Sequence, residues 1–101
     1  MIAHLNVPAL DSSENSISSL SEKIVTDLLQ NKLGYEGLKI SDALDMMSVS
    51  KSFKKGLAEL KALEAGIDIL LYPHSMAEAI KKIKNAIAAI KAAMYNITIM
   101  Q

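Results

Sequence analysis

The segment that decides the fold is Gly37-Leu38-Lys39-Ile40-Ser41-Asp42-Ala43-Leu44-Asp45-Met46. Its first half predicts a short buried strand over 38–42, and its second half predicts a loop or a single helical turn. Such a strand would deliver the carboxylate of Asp42 to its own carboxyl end. Ligands and catalytic groups collect at that edge of parallel α/β folds, because strand ends and the loops after them form a crevice. The pattern therefore makes Asp42 a candidate catalytic residue.

Two further strands are predicted on either side of this segment. Residues 1–5 form a short apolar run that stops before Pro8, and residues 67–72 form another that Pro73 closes. Proline has no amide to donate to a strand ladder, so a strand is expected to end beside it. Continuous apolar runs without strict alternation are typical of strands that are covered on both faces.

Helices are predicted between and after these strands. The capping box of Ser19 and Glu22 indicates the start of the first helix, and Gly34 can take the left-handed conformation at its end. A second helix is predicted over roughly 52–65, ended by Gly66.

The third helix opens at a second capping box, Ser75 to Glu78. Its apolar residues recur at steps of three and four, namely Met76, Ile80, Ile83, Ile87, Ile90 and Met94. We expect this stripe to pack on a sheet, with the lysines of the helix in solvent.

The order of elements is strand then helix, three times over. Each connection is long enough for a right-handed crossover, so the strands are expected to be parallel. The predicted fold class is therefore α/β, with three parallel βα units. Three strands alone leave both edges open and the inner face half covered. The pattern thus predicts a partial TIM (β/α)8 barrel, one partial domain over 1–101 cut from a longer chain.

Composition excludes several classes of function. The 101 residues contain 11 Lys plus Arg and 11 Asp plus Glu, so the net charge is zero. That balance predicts no nucleic-acid partner and no membrane partner. No apolar run approaches the roughly 18 residues that cross a bilayer, and the N-terminus lacks the pattern of a signal peptide, so the default expectation is the cytoplasm. Without cysteine, disulfides and thiolate metal sites are excluded.

Several groups of residues along the chain together carry a resemblance. They are Ala3-His4 with Pro8–Asp11, Ser19–Ser21, Leu28-Leu29 with Leu33–Gly37, Ile40–Met46, and Ala65–Leu71 with Pro73. In this order and spacing they resemble the C-terminal part of the catalytic barrel of glycoside hydrolase family 3, in its β-N-acetylhexosaminidase branch. The resemblance covers about residues 1–90, and residues 91–101 have no match in it.

The resemblance implies that Asp42 is the catalytic nucleophile of a retaining hydrolase. The implied reaction cleaves terminal β-linked N-acetylglucosamine through a covalent glycosyl–enzyme, without a metal or other cofactor. The implied partner is a glycan that contains N-acetylglucosamine, with His4 and Met46 as candidate substrate-binding residues.

The residues that the resemblance leaves out bear on activity. The acid/base histidine of this branch, and the residues that grip the acetamido sugar, belong to earlier parts of the barrel. We therefore expect this chain to be a fragment that is inactive alone. It would be completed by the missing N-terminal part of the barrel or would associate with itself.

Other interpretations of the same residues remain open. A strand-end aspartate such as Asp42 often only caps the following helix, and Asp45 could be a second catalytic carboxylate or a loop residue. His4, His74 and Asp42 could together form a metal site, an interpretation that we do not favour. Two other functions are a non-catalytic truncated remnant that acts as a self-associating scaffold, and a small α/β signalling or binding module.

Overall fold

The structure, a computed structural model, describes the backbone of residues 1–100 and the side chains of residues 1–96. Part of the segment 91–101, which has no match in the family resemblance, therefore lies outside the described residues. The helical elements, in chain order, are a 3-10 turn Ser18–Leu20, a π-helix Lys23–Lys32, and the α-helices α1 (Met47–Ser50), α2 (Leu57–Ala65) and α3 (Met76–Met100). Strand pairing in the described part is limited to two isolated parallel bridges, Ile2 with Ser41 and Ile40 with Ile69.

The predicted α/β fold of three parallel βα units, a partial TIM barrel, is wrong. The described residues are mainly helical and contain no sheet, because the segments predicted as strands pair through single residues. Polar side chains take backbone amides that continued strands would have used. The Leu71 N–H donates to Ser41 Oγ at 3.0 Å, and the Lys39 N–H donates to Asp68 Oδ2 at 2.9 Å. Such side-chain-to-backbone hydrogen bonds compete directly with strand ladders.

The core is built from two small groups of buried residues. The first is Val25, Ala62, Ala65 and Ile67, and the second is Leu44, Val49 and Ala58. Leu20 and Leu70 pack against both groups and join them. The core residues that α2 supplies are Ala58, Ala62 and Ala65, and their small side chains let the π-helix approach α2 closely. Its Thr26 hydroxyl donates to the Ala65 carbonyl at 2.7 Å.

The predicted helix ends agree with the structure better than the predicted strands do. Gly34 follows the π-helix with φ +74°, and Gly66 ends α2 with φ +115°, as predicted for left-handed caps. Ser75 Oγ accepts the Glu78 N–H at 3.4 Å, which is one half of the predicted box before α3. By contrast, α2 begins at Leu57, later than predicted.

The first predicted capping box does not form. Ser21 rather than Ser19 accepts a first-turn amide, from Ile24 N–H at 3.3 Å. The Ser19 hydroxyl bonds to His4 instead.

Helix α3 is confirmed, but its predicted packing on a sheet is wrong. Ile80, Ile87 and Ile90 are 46%, 47% and 60% exposed. The contact with the rest of the chain is near the start of the helix, where Ala79 is buried and Gly56 lies against its backbone. None of the helices in the described part of the chain is both long and apolar enough to cross a membrane.

Candidate active site

Asp42 lies directly after the two bridged residues Ile40 and Ser41. Its N–H donates to the Ile2 carbonyl at 2.9 Å, so the neighbouring segment fixes its backbone. The half-buried carboxylate accepts the Ala43 N–H on Oδ1 at 2.8 Å. Within the described residues, no hydrogen bond reaches Oδ2. One oxygen is thus held in place while the other is available for chemistry.

His4 is bound to the residue next to Asp42. Its Nε2 lies 2.8 Å from the Ala43 carbonyl oxygen, which can only accept, so Nε2 carries a proton. In the neutral ring Nδ1 then accepts the Ser19 hydroxyl, at 2.5 Å. The structure therefore places His4 against the residue that follows Asp42, with both ring nitrogens engaged within the chain.

The serines of the 3-10 turn were missed as supporting residues. Ser18 and Ser19 are buried; the Ser18 hydroxyl donates to the Ala3 carbonyl and accepts the Leu5 N–H at 2.9 Å. Together with the Ser19–His4 bond, this ties the first segment to the turn on both sides of His4. The only sequence signal was an unusual density of serines over 16–21, which is also typical of a loop.

Asp11 organises the loop that carries these serines. Its Oδ1 accepts the Ser13 N–H at 3.0 Å and the Ser13 hydroxyl at 2.6 Å, and its Oδ2 accepts the Ser21 hydroxyl at 2.6 Å. The Ser13 hydroxyl most of all, and then the Ser21 hydroxyl, hold the pKa of Asp11 well below its usual 3.8. The carboxylate lines a cleft of about 590 Å³ that does not include Asp42. Asp11 therefore supports the site through the loop and not by direct contact.

Glu59 is a second carboxylate that sequence reasoning did not identify. It is 1% exposed, and its Oε1 accepts the His74 N–H at 2.8 Å. Oε2 has no hydrogen-bond partner among the described residues. A glutamate in the first turn of a helix is usually expected in solvent, so no sequence signal indicated its burial. Through this bond Glu59, which belongs to α2, holds the loop that follows the bridged residue Ile69.

The other predicted site residues lie at the surface. Met46 is 43% exposed, and Asp45 and the side chain of His74 are also exposed. Over the side chains that are described, no group of three acidic, histidine or cysteine residues is placed to hold a metal ion. The substrate-binding roles of His4 and Met46 stay predictions.

Comparison with known proteins gives a family for the whole chain. Residues 1–101 match the glycosyl hydrolase family 3 N terminal domain. Beta-hexosaminidase A of Pseudoalteromonas piscicida is 40% identical over 82 residues, which cover 72% of this chain and 14% of that protein. The chain thus spans a small part of the length of this relative.

Solved structures agree with this match. The β-N-acetylglucosaminidase of Thermotoga maritima superimposes with a TM-score of 0.71 at 32% identity, over 83% of this chain and 20% of that one. A fungal multi-domain family 3 β-N-acetylglucosaminidase gives a TM-score of 0.73 at 30% identity, over 93% of this chain and 11% of that one. The chain belongs to glycoside hydrolase family 3 and matches its N-terminal domain.

Proposed function

We propose that this chain supplies the nucleophile of a glycoside hydrolase that removes terminal β-linked N-acetylglucosamine with retention, and that Asp42 is that nucleophile. The observation that carries the proposal is the state of the Asp42 carboxylate. Oδ1 is held by the Ala43 N–H, and no described residue bonds Oδ2. The names of the similar proteins, β-hexosaminidase and β-N-acetylglucosaminidase, support the choice of sugar.

In the proposed reaction, Oδ2 attacks the anomeric carbon as the bond to the leaving oxygen breaks. The products of this step are a glycosyl ester on Asp42 and an alcohol, whose oxygen takes a proton from a general acid. Water, deprotonated by the same group, then cleaves the ester and restores the carboxylate. The two displacements together retain the configuration at the anomeric carbon.

His4 is a positioning residue in this proposal. By donating from Nε2 to the Ala43 carbonyl, it fixes the chain just after Asp42. The Ala43 N–H, which holds Oδ1, then has a defined direction. A nucleophile held in this way loses less orientational freedom in the transition state.

We propose further that the 101-residue chain is inactive by itself. Retaining catalysis needs a second group that donates and later accepts a proton. His4 has both nitrogens engaged with Ser19 and Ala43, so it is not free for that role. A carboxylate nucleophile without this second group supplies little of the rate.

The test separates the nucleophile from the missing acid. The chain is first given an aryl N-acetyl-β-glucosaminide, and we expect no hydrolysis above the buffer rate. It is then incubated with an N-acetylglucosaminyl fluoride that carries a second fluorine on the sugar ring. The anomeric fluoride leaves without help from a general acid, and the ring fluorine slows hydrolysis of the adduct. We expect intact-mass and peptide mapping to place one sugar on Asp42.

Two variants make the labelling specific. Asp42→Asn should abolish the adduct, while Asp45→Asn, a matched change three residues away, should keep it. Label on Asp45, or a label that Asp42→Asn keeps, contradicts the assignment of Asp42. If the wild-type chain hydrolyses the aryl substrate and Asp42→Asn abolishes this hydrolysis, only the proposed inactivity of the chain is contradicted.

A further inference from the structure

The backbone turns sharply at Tyr72, three residues after the bridged residue Ile69. Tyr72 has a φ of +45°, in the left-handed region, and it precedes Pro73. Bulky side chains are rarely found at positive φ, and a residue before proline is restricted to extended conformations. Asn15, the other non-glycine residue with positive φ in the part of the chain that the structure describes, is of a type that tolerates it. The backbone of Tyr72 is therefore strained on two separate grounds.

Two hydrogen bonds on Leu71 fix the chain immediately before this turn. Its N–H donates to the Ser41 hydroxyl oxygen at 3.0 Å, and its carbonyl accepts the Leu44 N–H at 2.9 Å. Ser41 directly precedes Asp42, and Leu44 follows Asp42 by two residues. Leu71 thus holds the chain on both sides of Asp42, so the turn at Tyr72 begins beside the proposed nucleophile.

A buried carboxylate fixes the chain immediately after the turn. Glu59 is 1% exposed, and its Oε1 accepts the His74 N–H at 2.8 Å. Burying a carboxylate is costly, and Oε2 has no hydrogen-bond partner among the described residues. The position of Glu59 in the first turn of α2 offsets part of this cost, because the helix dipole favours negative charge there. The bond that Glu59 makes in return holds the residue two positions after Tyr72.

Both anchors of the turn are complete within this chain. Ser41 is 0% exposed and Glu59 is 1% exposed. The bonds that hold the turn are therefore independent of any segment that packs beside these residues in a longer protein. Strained residues persist when the surrounding structure fixes them in this way, and they cluster at active sites and ligand clamps.

The ring of Tyr72 suits a sugar as its ligand. Tyr72 is 69% exposed, at the end of the segment that Leu71 holds against the chain around Asp42. A tyrosine that only packed against a neighbouring segment would have no need of a strained backbone before Pro73. Tyrosine offers a rigid apolar face with a polar tip. A pyranose matches that face, because its axial C–H groups form an apolar surface with hydroxyls around the edge.

We propose that Tyr72 binds the sugar at the Asp42 site, with its ring against the C–H face of the pyranose that Oδ2 attacks. This inference rests on the proposed function and adds a substrate-binding residue to it. Because the turn is fixed before the sugar arrives, little conformational freedom is lost on binding. Ser41 and Glu59 are positioning residues, since they act through the backbone on either side of Tyr72.

The test follows the tyrosine rings of the full chain by NMR during a titration with methyl N-acetyl-β-glucosaminide. We expect the Tyr72 ring signals to shift and saturate, whereas those of Tyr35 and Tyr95, which are also exposed, should not move. Sorbitol, a polyol without a ring, should shift none of them. Tyr72 signals that stay unmoved up to the solubility limit of the glycoside overturn the inference. Signals of all three tyrosines that move together overturn it as well.

Variants measure the contribution of the ring, with the Ala43 amide signal as the reporter of binding. Tyr72→Leu should raise the dissociation constant by about tenfold, because it removes the aromatic face. Tyr72→Phe and the matched change Tyr95→Leu should leave it within about twofold of the wild type. Circular dichroism should be the same for all variants. An unchanged dissociation constant in Tyr72→Leu contradicts the role of the ring.

The outcomes separate this inference from the assignment of the nucleophile. Asp42→Asn should keep the Tyr72 shift, because the ring binds the sugar without the attacking oxygen. Fluorosugar label on Asp45, together with a Tyr72 shift, contradicts only the assignment of Asp42. Label on Asp42 without a Tyr72 shift contradicts only the role of Tyr72.

Discussion

The surroundings of Asp42 and helix α3 are held in opposite ways. Around Asp42 the chain is irregular, and side chains such as Ser18, Ser41 and His4 bind backbone groups distant in sequence. Helix α3 is regular and long, yet many of its side chains are exposed. The first region depends on long-range polar contacts, and the second on its own backbone hydrogen bonds. The same type of substitution should therefore have different effects in the two regions.

The largest difference is expected for two isoleucines. Ile67 is 2% exposed and packs with Val25 in the core, whereas Ile90 is 60% exposed on α3. Ile67→Ala should lower the free energy of unfolding by about 2–5 kcal/mol, because it removes buried methyl groups and leaves a cavity. Ile90→Ala should change it by less than about 0.5 kcal/mol. Urea unfolding followed by circular dichroism measures both; similar losses would mean that Ile90 is covered in solution.

Sequence reasoning succeeded where structure is local. The ends at Gly34 and Gly66 and the start of α3 at Ser75 depend on a few neighbouring residues, and these were predicted. The predicted strand over 38–42 is reduced to bridges at Ile40 and Ser41, and the catalytic role of Asp42 stays a prediction.

The absence of a sheet from the described residues was not predictable, because it depends on competition between distant groups. Whether an amide near position 71 enters a ladder depends on Ser41, 30 residues earlier. The link between His4 and the Ala43 carbonyl spans 39 residues. Neither serine nor histidine carries a pattern that states which distant amide or carbonyl it will bind. The same holds for Glu59, whose burial follows from the position of the loop at His74.

A second contrast concerns two glycines with positive φ. A Cβ at Gly66 would collide with the Thr26 hydroxyl, whereas a Cβ at Gly34 would meet open space. Gly66→Ala should therefore cost about 2–3 kcal/mol, from the left-handed backbone and the clash together. Gly34→Ala should cost only the backbone part, about 1 kcal/mol. Equal losses in thermal or urea unfolding would mean that Thr26 moves aside without cost.

A third contrast uses the two histidines. His4→Ala removes bonds to Ser19 and to the Ala43 carbonyl and should cost about 1–2 kcal/mol. His74→Ala should be nearly neutral, because the backbone N–H of residue 74, and not the exposed ring of His74, binds Glu59. A double-mutant cycle with Ser19→Ala should give a coupling of about 0.5–1 kcal/mol. A coupling near zero would show that the His4–Ser19 bond is not formed in solution.

The smallest effect is expected in the acid range and depends on Asp11. Hydrogen bonds from Ser13 and then Ser21 place its pKa in the folded state below the 3.8 of an ordinary aspartate. The ionised carboxylate therefore adds stability that is fully present above about pH 4 and is lost as the pH falls towards the lower folded pKa. Asp11→Asn should have a smaller loss of unfolding free energy than the wild type between about pH 5 and about pH 2.5.

Single serine substitutions sharpen this last test. Ser13→Ala should reduce the acid-range loss of stability, since Ser13 is the largest cause of the lowered pKa. Ser12→Ala, at the adjacent exposed position, should leave the wild-type slope unchanged. Urea midpoints measured at each pH give the slopes. If Ser13→Ala and Ser12→Ala have the same slope, the Asp11 carboxylate does not hold the loop. The 3-10 turn is then held against the first segment by the bonds of Ser18 and Ser19 without help from Asp11.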